Sequence, residues 1–257
     1  MSKVIEYYNN FFNENRRLGD GCDNRHLTEK IVKQQIIKKY IKKGDKVLEV
    51  GAGTGIHSIF MAQCGCIVSA CDIVPNHVEL IKENAVKFNV QIDATVQDAL
   101  ALNYEDDKFD VVLLAGPIYH FHSLEDKMQA IKEAKRVCKK GGVVIIDFLP
   151  RLHSFIQQIL RFPEFIKNLD YDDIKNLNCK DKIFSFDNKN ELCDLVVECG
   201  LEILNVISTD SITRFISDRI NDLSKEELDN WIELVLKINE YNVVDLGEHA
   251  LIISNNG

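Results

Sequence analysis

Val47-Leu48-Glu49-Val50-Gly51-Ala52-Gly53-Thr54-Gly55 decides how this chain folds. A short strand-like run meets three alternating glycines, after which Ile56, Ile59 and Phe60 begin a helical period. Glycine carries no side chain, so the backbone turns sharply there and a ligand can approach the main chain closely. The free amides that open the following helix face the same point. Alone, such a loop is a weak sign, because many nucleotide folds and some ordinary turns contain one. Its context strengthens it. Asp72 ends the next strand about twenty residues on, where a carboxylate accepts hydrogen bonds from both hydroxyls of a ribose.

Outward from this loop, helix-period and strand-period segments alternate, the pattern of a parallel sheet covered on both faces. A helix is expected over 27–41, with Leu27, Ile31 and Ile37 inward and Gly44 as its stop. Strands follow at 46–50 and 66–71, then a helix opening at Pro75, whose first position needs no amide donor. Val78, Ile81, Ala85 and Phe88 mark its buried face. Strands at 92–96 and 109–115 precede a helix capped by Ser123-Leu124-Glu125-Asp126 and ended by Gly141-Gly142. Strand five is expected at 143–149, a helix at 189–199, and strands six and seven at 201–207 and 249–253.

Two stretches break the rhythm, 150–186 and 209–247, and read as cap insertions over the sheet's edge. The second carries the capping box Ser224-Lys225-Glu226-Glu227 with Leu228, Trp231, Val235 and Ile238 as an apolar stripe behind it. The leader, 1–26, holds Tyr7, Tyr8, Phe11, Phe12, Arg16 and Arg17 and reads either as a flap over the ligand or as a terminal helix packed on the core.

The 257 residues fit one α/β domain with cap insertions better than two cores. The chain is 46% hydrophobic and 28% charged, its apolar runs are strand-sized, and no membrane span is expected. The first twenty residues lack the apolar stretch of a secretory signal, which makes a cytoplasmic location the expectation. A net charge of -9 disfavours nucleic acid and favours a small-molecule substrate. The eight cysteines form no C-x-x-C pair and read as buried free thiols.

Which nucleotide the loop holds is a matter of spacing. A dinucleotide site favours G-x-G-x-x-G, and here the spacing is G-x-G-x-G with Ile56 where the third glycine would fall. Glu49, Gly51, Gly53 and Gly55 stand in the apolar-apolar-acid-x-G-x-G-x-G pattern, and over roughly 46–149 the chain resembles the class I S-adenosylmethionine (SAM)-dependent methyltransferases. Ala115-Gly116-Pro117-Ile118-Tyr119-His120 looks like the Gly-Pro-Leu-Tyr-His segment of a branch of bacterial small-molecule methyltransferases.

The resemblance implies a Rossmann-like, seven-stranded, mostly parallel sheet of order 3-2-1-4-5-7-6 with S-adenosyl-L-methionine as cofactor. It places Gly51 and Gly53 along the methionine part, Glu49 toward its ammonium, and counts Ala52 and Gly55 among the cofactor-binding residues. Asp72 takes the ribose, Ile73 lies against the adenine, and Asp98 with the amide of Ala99 reads the adenine edge. Backbone carbonyls at Ala115 and Gly116 face the ammonium, and Tyr119 and His120 approach the methyl donor.

Methyl transfer is an in-line displacement that depends on holding the nucleophile opposite sulfur. Where the acceptor must lose a proton, His120 is the candidate base, the alternative being a hydrogen-bonded histidine that shapes the pocket. His120-x-His122 lacks a third ligand, so no metal is expected. Glu248-His249 resembles a family feature without an assigned role and reads equally as strand entry. An NAD-dependent oxidoreductase and a non-catalytic SAM-binding module stay as rival readings. The acceptor atom and the oligomeric state are left open.

Overall fold

The computed structural model describes residues 2–10, 21–162, 164–179 and 181–257; Phe11, Phe12, Arg16 and Arg17 of the leader lie outside them. Seven strands form one sheet: β1 (Lys46–Val50), β2 (Ile67–Asp72), β3 (Ile92–Val96), β4 (Phe109–Leu114), β5 (Cys138–Phe148), β6 (Glu202–Ser208) and β7 (Ala250–Asn255). Their order is β3-β2-β1-β4-β5-β7-β6, as the family resemblance implies. The first five are parallel, and β7 runs antiparallel to both β5 and β6. β1 and β4 are neighbours from which the chain departs to opposite sides, so a crevice opens at their carboxyl ends.

The central strands are apolar on both faces because both faces are covered. Leu48, Val50, Val112, Leu114 and Ile146 point into one core, where helices α5 (Leu124–Val137) and α9 (Lys189–Glu198) lie. Val47, Val111, Leu113 and Ile145 point into the other, closed by α2 (Asn24–Lys38) and α11 (Lys225–Ile238). The helices between strands begin where their caps dictate. Ser123 accepts a hydrogen bond from the Asp126 amide, Pro75 opens α4 (Pro75–Lys87), and Ser224 with Glu227 makes both halves of the capping box. Helix α1 (Ser2–Asn10) precedes them all, and α3 (Ile56–Gln63) follows the glycine loop.

Within 150–186 lie α6 (Arg151–Arg161), α7 (Glu164–Lys167) and α8 (Tyr171–Asn176), and within 209–247 lie α10 (Ser217–Asn221) and α11. Among the described residues no helix is long and apolar enough to cross a membrane. All eight cysteines are free thiols, and Cys66, Cys71, Cys138 and Cys199 are buried.

Three expectations need correction. Gly141-Gly142 does not end α5, which stops at Val137; the pair lies inside β5, where the ladder with β4 shifts register. Gly141 has φ +73, the left-handed geometry of a bulge, and a Cβ at Gly142 would sit 2.8 Å from the Asp110 carbonyl. The bulge lengthens β5 without ending it. The inner face of α2 is Thr28, Glu29, Val32, Lys33, Ile36 and Ile37, with Leu27 and Ile31 at its half-buried flank. Two charges take apolar places there because they meet partners beneath, as described below. On α11 the buried stripe is Leu228, Ile232 and Val235, whereas Trp231 and Ile238 are half-buried and the Trp231 indole donates to the Thr213 hydroxyl at 3.3 Å. The indole N–H is thereby satisfied at the edge of the stripe.

The bulge makes a test of local packing. Gly142→Ala is expected to lower unfolding stability by about 1–3 kcal/mol, as overpacking does. Gly141→Ala, with no atom near its Cβ, is expected to lose only the left-handed backbone term of about 1–2 kcal/mol. Urea unfolding of the two variants distinguishes the costs.

Candidate active site

The site grows from the loop between β1 and α3. Gly51, Gly53 and Gly55 have φ of +74, +56 and +78, a region that costs a residue with a Cβ and costs glycine nothing. Gly51 and Ala52 donate their amides to the Cys71 carbonyl, which ties the loop to the end of β2. A Cβ on Gly51 would lie 2.6 Å from Pro117 Cδ, and one on Gly116 would lie 3.0 Å from the Gly51 carbonyl. The loops after β1 and β4 therefore touch through bare main chain, and the cleft runs alongside that contact.

Asp72 stands at the mouth. One carboxylate oxygen accepts from the Gly53 amide at 2.8 Å and the other from the Val74 amide at 2.9 Å. Each oxygen has two lone pairs, so one on each is left for a ligand in the cleft. The cleft is lined by Gly51, Gly53, Asp72, Ile73, Ala99, Gly116, Tyr119 and His120 of the expected residues. Glu49, Ala52 and Ala115 line a connected recess at its inner end, together with Gly51 and Gly53. Two expected residues are placed differently. Gly55 turns inward, where a Cβ would meet Ile81 at 3.0 Å, and serves the helix–helix contact. The carboxylate of Asp98 accepts from the Leu100 amide at 3.0 Å, and Gln97 and Ala99 form the wall beside it.

Glu49 is fully buried and accepts a hydrogen bond from the Ser58 hydroxyl. Burial pushes its carboxyl up to about 7, with Ser58 and Lys33 offsetting only part of that rise. Tyr119 donates its hydroxyl to the Ala115 carbonyl at 3.2 Å. His120 Nδ1 faces the Ile183 carbonyl at 3.0 Å and must be the protonated nitrogen, so Nε2 accepts from the Tyr8 hydroxyl, also at 3.0 Å. Burial outweighs the Ile183 bond and lowers the His120 pKa, keeping the ring neutral at neutral pH. His122, two residues on, faces solvent.

Further residues complete the site. Val4 and Tyr8 of α1 close the cleft from above, and the Tyr8 ring sits edge-on to His77 and His120 at 5.1 and 5.5 Å. His77 is buried with Nδ1 3.3 Å from Asp72. Tyr8 is one of the leader aromatics that read as a flap over the ligand or as a terminal helix on the core, whereas Val4 and His77 carry no signal of their own in the sequence. Lys33 of α2 pairs with Asp147 of β5, whose other oxygen lies 3.2 Å from His249 Nδ1. Burial alone would raise Asp147, but Lys33 and His249 together hold it below the ordinary carboxylate range. The signal for this group was legible: Asp147 interrupts an apolar strand, and Glu29 and Lys33 are four apart on one helix.

Residues 47–142 match the family model described as a methyltransferase domain. The chain is 31% identical to the ubiquinone biosynthesis O-methyltransferase of Haemophilus ducreyi, over 54% of this chain and 67% of that one. It is 33% identical to the ribosomal protein L11 methyltransferase of Dictyoglomus thermophilum, over 61% of this chain but only 48% of that one, so it spans about half the length of the second relative. Among solved structures, magnesium protoporphyrin IX methyltransferase from Synechocystis PCC 6803 with bound S-adenosylhomocysteine superposes with a TM-score of 0.66 at 15% identity, covering 100% of this chain and 99% of that one. With its strand order, its glycine loop and the carboxylate ending β2, the chain belongs to the class I methyltransferases that use S-adenosylmethionine as cofactor.

Proposed function

We propose that this chain transfers a methyl group to a small molecule bound beneath α1 and the segments 150–186 and 209–247, which act as a cap. One observation carries the reading: a second cavity, of about 560 Å³, adjoins the cofactor cleft and shares Tyr8 and Tyr119 with it. That volume lies within the range of small-ligand pockets, roughly 300–1,000 Å³. The relatives include enzymes named for ubiquinone biosynthesis and for ribosomal protein L11, so the size of the acceptor is what an experiment must decide.

The bound cofactor supplies an electrophilic methyl carbon. Asp72 would accept from the ribose, the main chain at Gly51 and Gly53 would let the methionine part approach, and Glu49 would receive the ammonium. Tyr119 and His120 border the point where cleft and cavity meet. The Tyr8 hydroxyl occupies His120 Nε2, and an acceptor hydroxyl or ammonium that takes its place would give its proton to that nitrogen. Water is excluded by Tyr8 and Val4 above. His249, anchored by Asp147 and edge-on to Tyr119 at 5.7 Å, offers a second imidazole to the cavity.

Incubation with labelled SAM and a whole-cell extract, separated by size, is expected to place label in the low-mass fraction; label confined to protein or RNA would overturn the small-molecule reading. Because an ammonium ligand favours ionised Glu49, affinity for S-adenosylhomocysteine should rise by about tenfold between pH 6 and 8, with proton release, and Glu49→Gln should flatten the profile on calorimetry. By the same linkage, the raised folded-state pKa means that the ligand-free protein loses stability as pH climbs from the ordinary glutamate range through about 7. For His120→Ala, turnover is expected to fall about 10²-fold while cofactor affinity stays within twofold, as measured by steady-state kinetics and titration.

A further inference from the structure

The wall of the second cavity carries a charge pattern opposite to that of the whole molecule. Against a chain charge of -9, the cavity wall holds Arg25, Arg161 and Arg214 against two carboxylates, Glu248 and Asp181. Arg25 Nη1 donates to Glu248, and Arg214 Nε stands 3.9 Å from the same oxygen, beyond hydrogen-bond reach. Among the described residues no carboxylate lies within ion-pair distance of Arg161. Asp181 also borders the cavity, but its carboxylate accepts from the amides of Ile183 and Phe184 and is used in their turn. Burial, joined by the like charges of Arg25 and Arg161, lowers the Arg214 pKa despite Glu248. Guanidiniums held together with too few anions are the arrangement that an anionic ligand relieves.

A second observation is independent of charge. His153 of α6 is 2% exposed and lines the same cavity. Its Nδ1–H donates to the Leu246 carbonyl at 2.7 Å, which leaves Nε2 as a lone-pair acceptor. That atom is buried and has no hydrogen-bond partner. Burial holds the His153 pKa down, so the ring stays neutral and Nε2 stays an acceptor. An unsatisfied buried acceptor costs about 1–3 kcal/mol, which a ligand's O–H or N–H would recover.

Resting on the methyl-transfer reading, we propose that the methyl acceptor is a small anion, whose carboxylate or phosphate is bound by Arg214 and Arg161 and whose hydroxyl or N–H donates to His153 Nε2. The aromatic faces of Tyr7, Phe184 and Tyr119 line the cavity between this end and the cofactor cleft. The donor at His153 fixes which end of the molecule faces the methyl carbon.

The test begins by fractionating the low-mass cell extract on an anion-exchange resin at neutral pH, then incubating each fraction with the full chain and labelled SAM. Acceptor activity is expected in the retained fraction, and activity found only in the flow-through overturns the proposal. Phosphatase treatment of the retained fraction separates the two sources, since it abolishes a phosphate acceptor and spares a carboxylate. With that fraction as substrate, Arg214→Gln and Arg161→Gln should each raise KM by about tenfold or more, the loss of a charge-assisted hydrogen bond, with S-adenosylhomocysteine affinity unchanged. Arg161 is exposed, so its variant reads binding without a folding defect. Unaltered KM in both variants also overturns the proposal. Calorimetric binding of S-adenosylhomocysteine is measured on the same preparation: if it fails, the methyl-transfer reading falls, and if it holds while neutral acceptors alone react, only the anion assignment falls.

Discussion

The site depends on two loops meeting through bare backbone. Where β1 ends, Gly51 comes so near Gly116 and Pro117 that a side chain on Gly51 would overlap the proline ring. This contact lets neighbouring parallel strands deliver their loops to one point, with Asp72 on one side and Tyr119 on the other. A larger residue at Gly51 would push the two loops apart and move every group that lines the cleft. The strand order supplies the crevice, and the glycines let it remain narrow.

Beneath the crevice, a buried charge group joins α2 to β5 and β7. Lys33, Asp147, His249 and Glu29 are all nearly inaccessible to solvent; Glu29 and Lys33 line the inner recess, and His249 lines both that recess and the second cavity. A buried ion pair of this kind adds little net stability over well-packed apolar residues, while removing one partner leaves an uncompensated charge at a cost of several kcal/mol. Its place in the fold is therefore better explained by position than by stability. Asp210 reinforces the same corner: burial, with Glu248 and Glu29 nearby, pushes its carboxyl up to about 8, and it accepts from the amides of Glu248 and His249.

The sheet was legible in the sequence because strands covered on both faces read as apolar runs, and the glycine turn after β1 gains its meaning from the carboxylate that ends β2. Strand limits were within a residue or two except at β5, where Gly141-Gly142 read as a helix stop and proved to be a bulge. Both roles call for glycine at positive φ, so composition alone does not separate them. The lining of the cleft was legible at Gly51, Gly53, Asp72 and Ile73, which are consecutive with the strands that present them. His77, Arg25, Arg161 and Arg214 were not, since they come from elements far apart in the chain and carry no spacing of their own, and Tyr8 was legible only as part of a leader with two alternative placements. Asp147 lay between: an acid inside an apolar strand signals a partner but does not say which.

The free thiols add a property of a different kind. Burial raises the pKa of Cys66 to about 11 and of Cys138 to about 12, so at neutral pH almost none of either is the nucleophilic thiolate. Cys138 sits where β5 begins and Cys66 just before β2, on opposite sides of the sheet's centre. An alkylating reagent would reach each only when the strands around it open. The two sulfur atoms thus act as built-in clocks, one for each half of the molecule, from which the order of local unfolding can be read without adding a label.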